Sequence, residues 1–125
     1  MLFLIQSTLQ QGVQFNIPTD VGAIGTYATP IYLPANSTPI LIIYKVNTAV
    51  VGTGASRIQL QDSAGNPICG TATFNLNTVA AGKYATDSAA GSINPVNAGQ
   101  LFIVVSGAAY TAGQASIYVQ YTTIE

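Results

Sequence analysis

In several stretches of the chain, apolar and polar residues alternate one for one. Val13, Phe15 and Ile17 are separated by Gln14 and Asn16, and Ile58 and Leu60 sit between Arg57, Gln59 and Gln61. Ala115, Ile117, Val119 and Tyr121 alternate with Ser116, Tyr118, Gln120 and Thr122. A period of two sends successive side chains to opposite faces, so these segments predict β-strands buried on one face. Two further runs, Ile40-Leu41-Ile42-Ile43 and Leu101-Phe102-Ile103-Val104-Val105, are continuously apolar. They predict strands covered on both faces or lying at a subunit contact. No window of about a dozen residues carries the three-and-four spacing of a helix face. About eight strands are predicted, near residues 2–9, 12–17, 27–33, 39–46, 56–62, 67–76, 100–106 and 114–123. Strands of this number and spacing, punctuated by Gly and Pro, predict an all-β fold: one antiparallel β-sandwich domain spanning residues 1–125.

The clearest local signal runs from Ile58 through Asp62-Ser63-Ala64-Gly65-Asn66-Pro67 to Leu76. Asp62 can accept backbone hydrogen bonds at a turn entrance, Gly65 can take a positive φ, and Pro67 can open the return strand without an amide donor. A hairpin follows, and Asp62 is accounted for as its turn residue. Two longer connections remain, 18–26 and 77–99, the second with room for a short strand near 83–86. Around Ser88-Ala89-Ala90-Gly91 the side chains are small enough for close backbone approach to a neighbour, or for a plain mobile loop.

Charge changes the picture. The 125 residues carry three cations and four acids and no histidine, while 49% are hydrophobic. A folded chain of this mass exposes roughly 6,300 Å², or about 900 Å² for each charge, far more than freestanding domains usually allow. Such a surface is either hidden against partners or kept wet by Ser, Thr, Asn and Gln. Lys45, Arg57 and Lys83 stand singly, so there is no basic stripe for nucleic acid. The lone Cys69 has no disulfide partner and is read as a small buried hydrophobe. The apolar start Met1-Leu2-Phe3-Leu4-Ile5 lacks a basic leader and breaks at Gln6, which reads as a buried first strand of a cytoplasmically made protein. No run reaches the roughly 18 apolar residues of a membrane helix. Asn36-Ser37-Thr38 matches a glycosylation acceptor but reads as a turn.

Chemistry has little to work with. Without histidine, acid and base would come from Asp20, Asp62, Asp87, Glu125, Lys45, Lys83, Cys69 or tyrosines, and no spacing pairs two carboxylates in one cleft. Asp87 and Lys83 read as an exposed pair worth at most about 1 kcal/mol. Gly52-Thr53-Gly54 lacks the Lys-Ser/Thr and the helix that a phosphate loop needs. No enzyme, cofactor or metal is expected. A carbohydrate-binding sandwich is the rival reading, with the loop-placed Tyr84 and Tyr110 as ligand contacts.

The segment from Arg57 to Ile68, together with the ending in which NAGQLFIVVSG is followed by TAGQASIYVQYTTIE, resembles small jelly-roll structural proteins of bacteriophage virions, of the capsid-associated or decoration type. The likeness spans about half the chain and rests on alternation and turns. It implies a jelly-roll sandwich in the virion that binds capsid proteins and forms a symmetric homo-oligomer, a trimer above all, clamping or covering the shell. A jelly-roll major capsid protein is the alternative within that class. The uncharged N-terminus favours an outer or vertex position over one lining the genome. The terminal strands are expected at edges or intersubunit contacts, through Leu2, Phe3, Leu4, Ile117, Val119 and Tyr121.

Overall fold

The structure, a computed structural model, describes residues 6–35, 37–68, 73–88 and 99–124. Within them run seven strands: β1 (Gln6–Ile17), β2 (Gly25–Leu33), β3 (Ser37–Val51), β4 (Arg57–Gln61), β5 (Tyr84–Ser88), β6 (Gly99–Ser106) and β7 (Ala112–Ile124). They build two antiparallel sheets, one in the order β1-β7-β3-β5 and one in the order β2-β6-β4. Pro67 and Phe74 bridge to Gln61 and Ile58 on the far side of β4, which gives the second sheet its fourth position. The chain crosses between sheets at nearly every connection, and its first and last strands are neighbours. This is the jelly-roll arrangement, which the sequence implied by resemblance.

The alternating residues fill the space between the sheets. Phe15, Ile42, Tyr44, Ile117 and Val119 project inward from the first sheet, and Ile31, Ile58, Leu60, Leu101 and Ile103 meet them from the second, all at most 3% exposed. The rings of Tyr44 and Phe74 stack at 4.6 Å. Large side chains held out of water on both inner faces are the main source of stability in such a sandwich.

Several strand limits differ from expectation for identifiable reasons. Residues 6–17 form one strand, although a break was expected near Gln10-Gln11; twelve unbroken rungs pair Gln6 to Ile17 with Ile124 to Gly113. Gly12 is tolerated in mid-strand because the ring of Tyr118, directly opposite, covers it. β3 runs five residues beyond the expected end, and its register with β7 shifts twice after Val46, which hides the extension from a period-two pattern. The return of the hairpin stops at Phe74, where Asn75 caps a single 3-10 turn, Leu76–Thr78, by accepting from the Asn77 amide. The short strand allowed near 83–86 is β5. Cys69 and the run 89–91 lie outside the described residues.

The hairpin turn forms as expected. Asp62 Oδ1 accepts from the amides of Ala64 and Asn66, both at 2.9 Å, and Gly65 has φ +86°. At the other end of the sandwich the loops are tied together. Tyr110 donates its amide to Gly22 O, Thr111 donates to Val51 O, and Ser56 Oγ donates to Ala109 O. Near Tyr32 one side chain bridges the gap between β1 and β2. Gln11 receives the Tyr32 amide on Oε1 and donates Nε2 to the Tyr32 carbonyl and to the Tyr121 hydroxyl, joining the two sheets.

Candidate functional site

The charged side chains are dispersed and largely engaged by backbone. Arg57 donates Nη1 to Gly54 O and Ser56 O, Asp20 accepts from the Asn16 amide, and Asp62 is consumed by its turn. Among the described residues no three His, Cys, Asp or Glu converge as metal ligands. The expected Lys83–Asp87 pair does not form: Asp87 stands opposite the buried Ile42, on the inner face of the edge strand, and its partial burial raises its pKa. A cleft of about 440 Å³ opens between β1 and β2 over Val13, Phe15, Val21 and Ile103. The polar groups along it serve the fold, since Tyr27 donates to Ala23 O and Thr29 to Leu101 O. Gln14, Thr19 and Asp20 also line it, so the slot is of mixed polarity, and no second acid or base stands beside Asp20 in its lining.

The structure separates the sequence-predicted contact residues. Tyr110 is 1% exposed; its hydroxyl accepts from the Leu76 amide at 3.1 Å and points toward Phe74 O. It is a core residue that ties the loop end together, and the expectation of a ligand contact there is corrected. Burial raises its pKa as well. Tyr84 keeps a surface role, 69% exposed on β5. Ile117, Val119 and Tyr121 are the inward half of β7, 0%, 0% and 5% exposed, so their side chains are core and a neighbouring subunit cannot reach them. The period-two pattern already distinguished the two halves of that strand. Leu2, Phe3 and Leu4 lie outside the described residues.

What remains for contact is the outer face of each sheet, and the two faces differ. On the β2-β6-β4 sheet, Phe102 and Val104 stand half-buried at the centre, flanked by Thr26, Ala28, Gln59 and Gln61 on neighbouring strands, with Arg57 the sole charge on these three strands. The continuous apolar run of β6 therefore supplies a core face and an outward apolar row. On the β1-β7-β3-β5 sheet the outer face carries the half-buried Leu41 and Ile43 and the exposed Lys45 on β3, with amides along β1 and β7. Gln120 Nε2 donates to Gln10 Oε1 directly opposite at 3.1 Å, Gln114 Nε2 to Asn16 Oδ1 at 2.9 Å, and Asn47 Nδ2 to Ser116 Oγ at 3.2 Å. Cross-strand amide pairs stand where soluble sheets commonly place ion pairs. Sequence reading missed Tyr118 on this face, although alternation with Ile117 and Val119 sends it outward.

No protein-family model matches the chain, and no curated protein matches its sequence. Its fold is shared with a chain of the acid-stable capsid structure of Helicobacter pylori bacteriophage KHP30, at a TM-score of 0.62 over 94% of this chain and 93% of that one, with 12% of residues identical. The likeness is therefore one of backbone architecture along almost the whole length of both chains, and it establishes the jelly-roll sandwich that the strand pairing displays.

Proposed function

We propose that this protein is a non-enzymatic structural component of a bacteriophage particle, an accessory or decoration subunit that joins capsid proteins, assembles as a symmetric oligomer and stabilises the shell. The observation that carries the reading is the end-to-end correspondence of its fold with a capsid chain. Charge agrees with it: interfaces are depleted of charge at their centres, and both outer faces here are nearly free of it. Residues 1–125 act as one domain in this reading, and the trimer is the symmetry that the phage resemblance implies. The outer face of the β2-β6-β4 sheet is the contact surface, because its centre is the apolar pair Phe102 and Val104 on β6, with no charged residue on that strand.

The test is to purify the particles of the virus that encodes the protein and look for it on them by electron cryomicroscopy. Density for the sandwich on the shell at symmetry-related positions is expected, together with a concentration-dependent rise in mass of the isolated protein. Absence from the particles overturns the proposal. Phe102→Asp places a carboxylate at the centre of the contact face. It is expected to abolish particle association while the circular dichroism of the sheet is retained.

A further inference from the structure

We infer that the outer face of the β1-β7-β3-β5 sheet is a binding platform for a neutral polysaccharide, with Tyr118 and Tyr84 as its stacking residues. This goes beyond the shell role and uses the opposite face of the molecule. The cross-strand register puts Tyr118 opposite Ile43 and Tyr84 opposite Lys45, so both tyrosines share the side of the sheet that faces away from the core. They flank β3, on strands about 10 Å apart, a separation that an extended oligosaccharide bridges. Gly12 is what makes room for one of them. A side chain there would collide with Cδ1 and Cε1 of Tyr118, so the missing Cβ lets the ring settle beside the strand and remain partly exposed.

Around the rings the chemistry suits hydroxyl groups. After Gln120 has donated to Gln10, the pair still holds an unused carbonyl and unused N–H groups, and Gln14 stands exposed two residues along β1 from Gly12. A sugar ring offers an apolar face to a tyrosine and hydroxyls, each both donor and acceptor, to amides. A second copy of this chain fits less well. Leu41 and Ile43 stand half-buried on β3 between the tyrosine-bearing strands, but Lys45 follows them on the same face and the amides of β1 and β7 beside them would have to be buried without partners, which costs free energy. Lys45 is the lone charge on this face of the four strands, too little for an anionic polymer such as nucleic acid.

The experiment exposes the purified protein to an immobilised array of neutral bacterial and plant polysaccharides and confirms hits by affinity electrophoresis through the same polymers. Retention by at least one polymer is expected. Tyr84→Ala, at a site too exposed to matter for folding, is expected to weaken it about 10-fold, as is Tyr118→Ala. Tyr32→Ala, an exposed tyrosine on the other sheet, is expected to leave it unchanged. No retention by any neutral polymer overturns the inference. So does retention that survives both platform variants, and so does a change in the solution mass of Tyr118→Ala without sugar binding, which marks the face as a contact between copies.

Discussion

A carboxylate that is 4% exposed must find donors, and Asp62 finds them within four residues of itself. Its Oδ1 takes two backbone amides and its Oδ2 faces the Asn66 side chain, so the turn that reverses β4 is organised around one charge. Asp62→Ala leaves those amides unpaired. It is expected to lower stability by about 1–3 kcal/mol, read as a fall in the urea midpoint, while Asp62→Asn retains part of the loss. Asp87 behaves in the opposite sense. Burial raises its pKa above the ordinary value of 3.8, so the folded state holds its proton more tightly than the unfolded chain. Its contribution is therefore most favourable in acid and is lost as pH rises through the folded-state value. Asp87→Asn removes that penalty: the variant is expected to melt higher than the parent at pH 7, with the gain vanishing below about pH 3.8. A gain that persists unchanged into acid would show that burial of the charge is not the cause.

At the scale of elements, β2 carries the one break in the second sheet that matters for its stability. Between Ala28 and Tyr32 its register with β6 slips, and side chains replace the lost ladder bonds. Thr29 Oγ1 donates to Leu101 O at 2.8 Å and accepts the Ile31 amide at 3.2 Å, and Gln100 Nε2 donates to Thr29 O. Thr29→Val keeps the volume and removes the hydroxyl. It is expected to cost about 1–3 kcal/mol and to speed hydrogen exchange at the Ile31 amide, with Thr29→Ser close to the parent. Pro30, which has no amide to give the ladder, signals a break there, but which side chain plugs it depends on which carbonyl lies opposite. The strands themselves were largely legible: inward Val, Ile and Leu at every second position marked β1, β4 and β7, and Asp-x-x-Gly-Asn-Pro marked the turn. The far end of β3 was not, since bulges at Val46 and Thr48 scramble the face on which each residue falls. Nor was the burial of Tyr110, whose loop position suggests exposure until three other connections are seen to close over it.

For the whole molecule, the scarcity of charge fixes which forces can act between copies. Among the described residues no ion pair links two strands; the side-chain contacts across the first sheet are between neutral amides and hydroxyls. Such contacts are not screened by salt, and neither is burial of apolar surface, which excluded salts strengthen. Raising sodium chloride from about 20 mM to about 500 mM is therefore expected to change folding stability by less than about 1 kcal/mol. In the proposed shell role, the same reasoning separates two modes of attachment. A subunit held by complementary charge leaves as ionic strength rises, because screening shortens the reach of each attraction to a few ångströms at about 1 M. One held through Phe102 and Val104 stays, and leaves only when that apolar centre is broken. Particles washed in about 1 M sodium chloride are thus expected to keep the protein, while Phe102→Asp subunits fail to bind at any salt concentration. Release of the parent by salt alone would place its attachment on charged side chains and remove the apolar centre of Phe102 and Val104 from the contact.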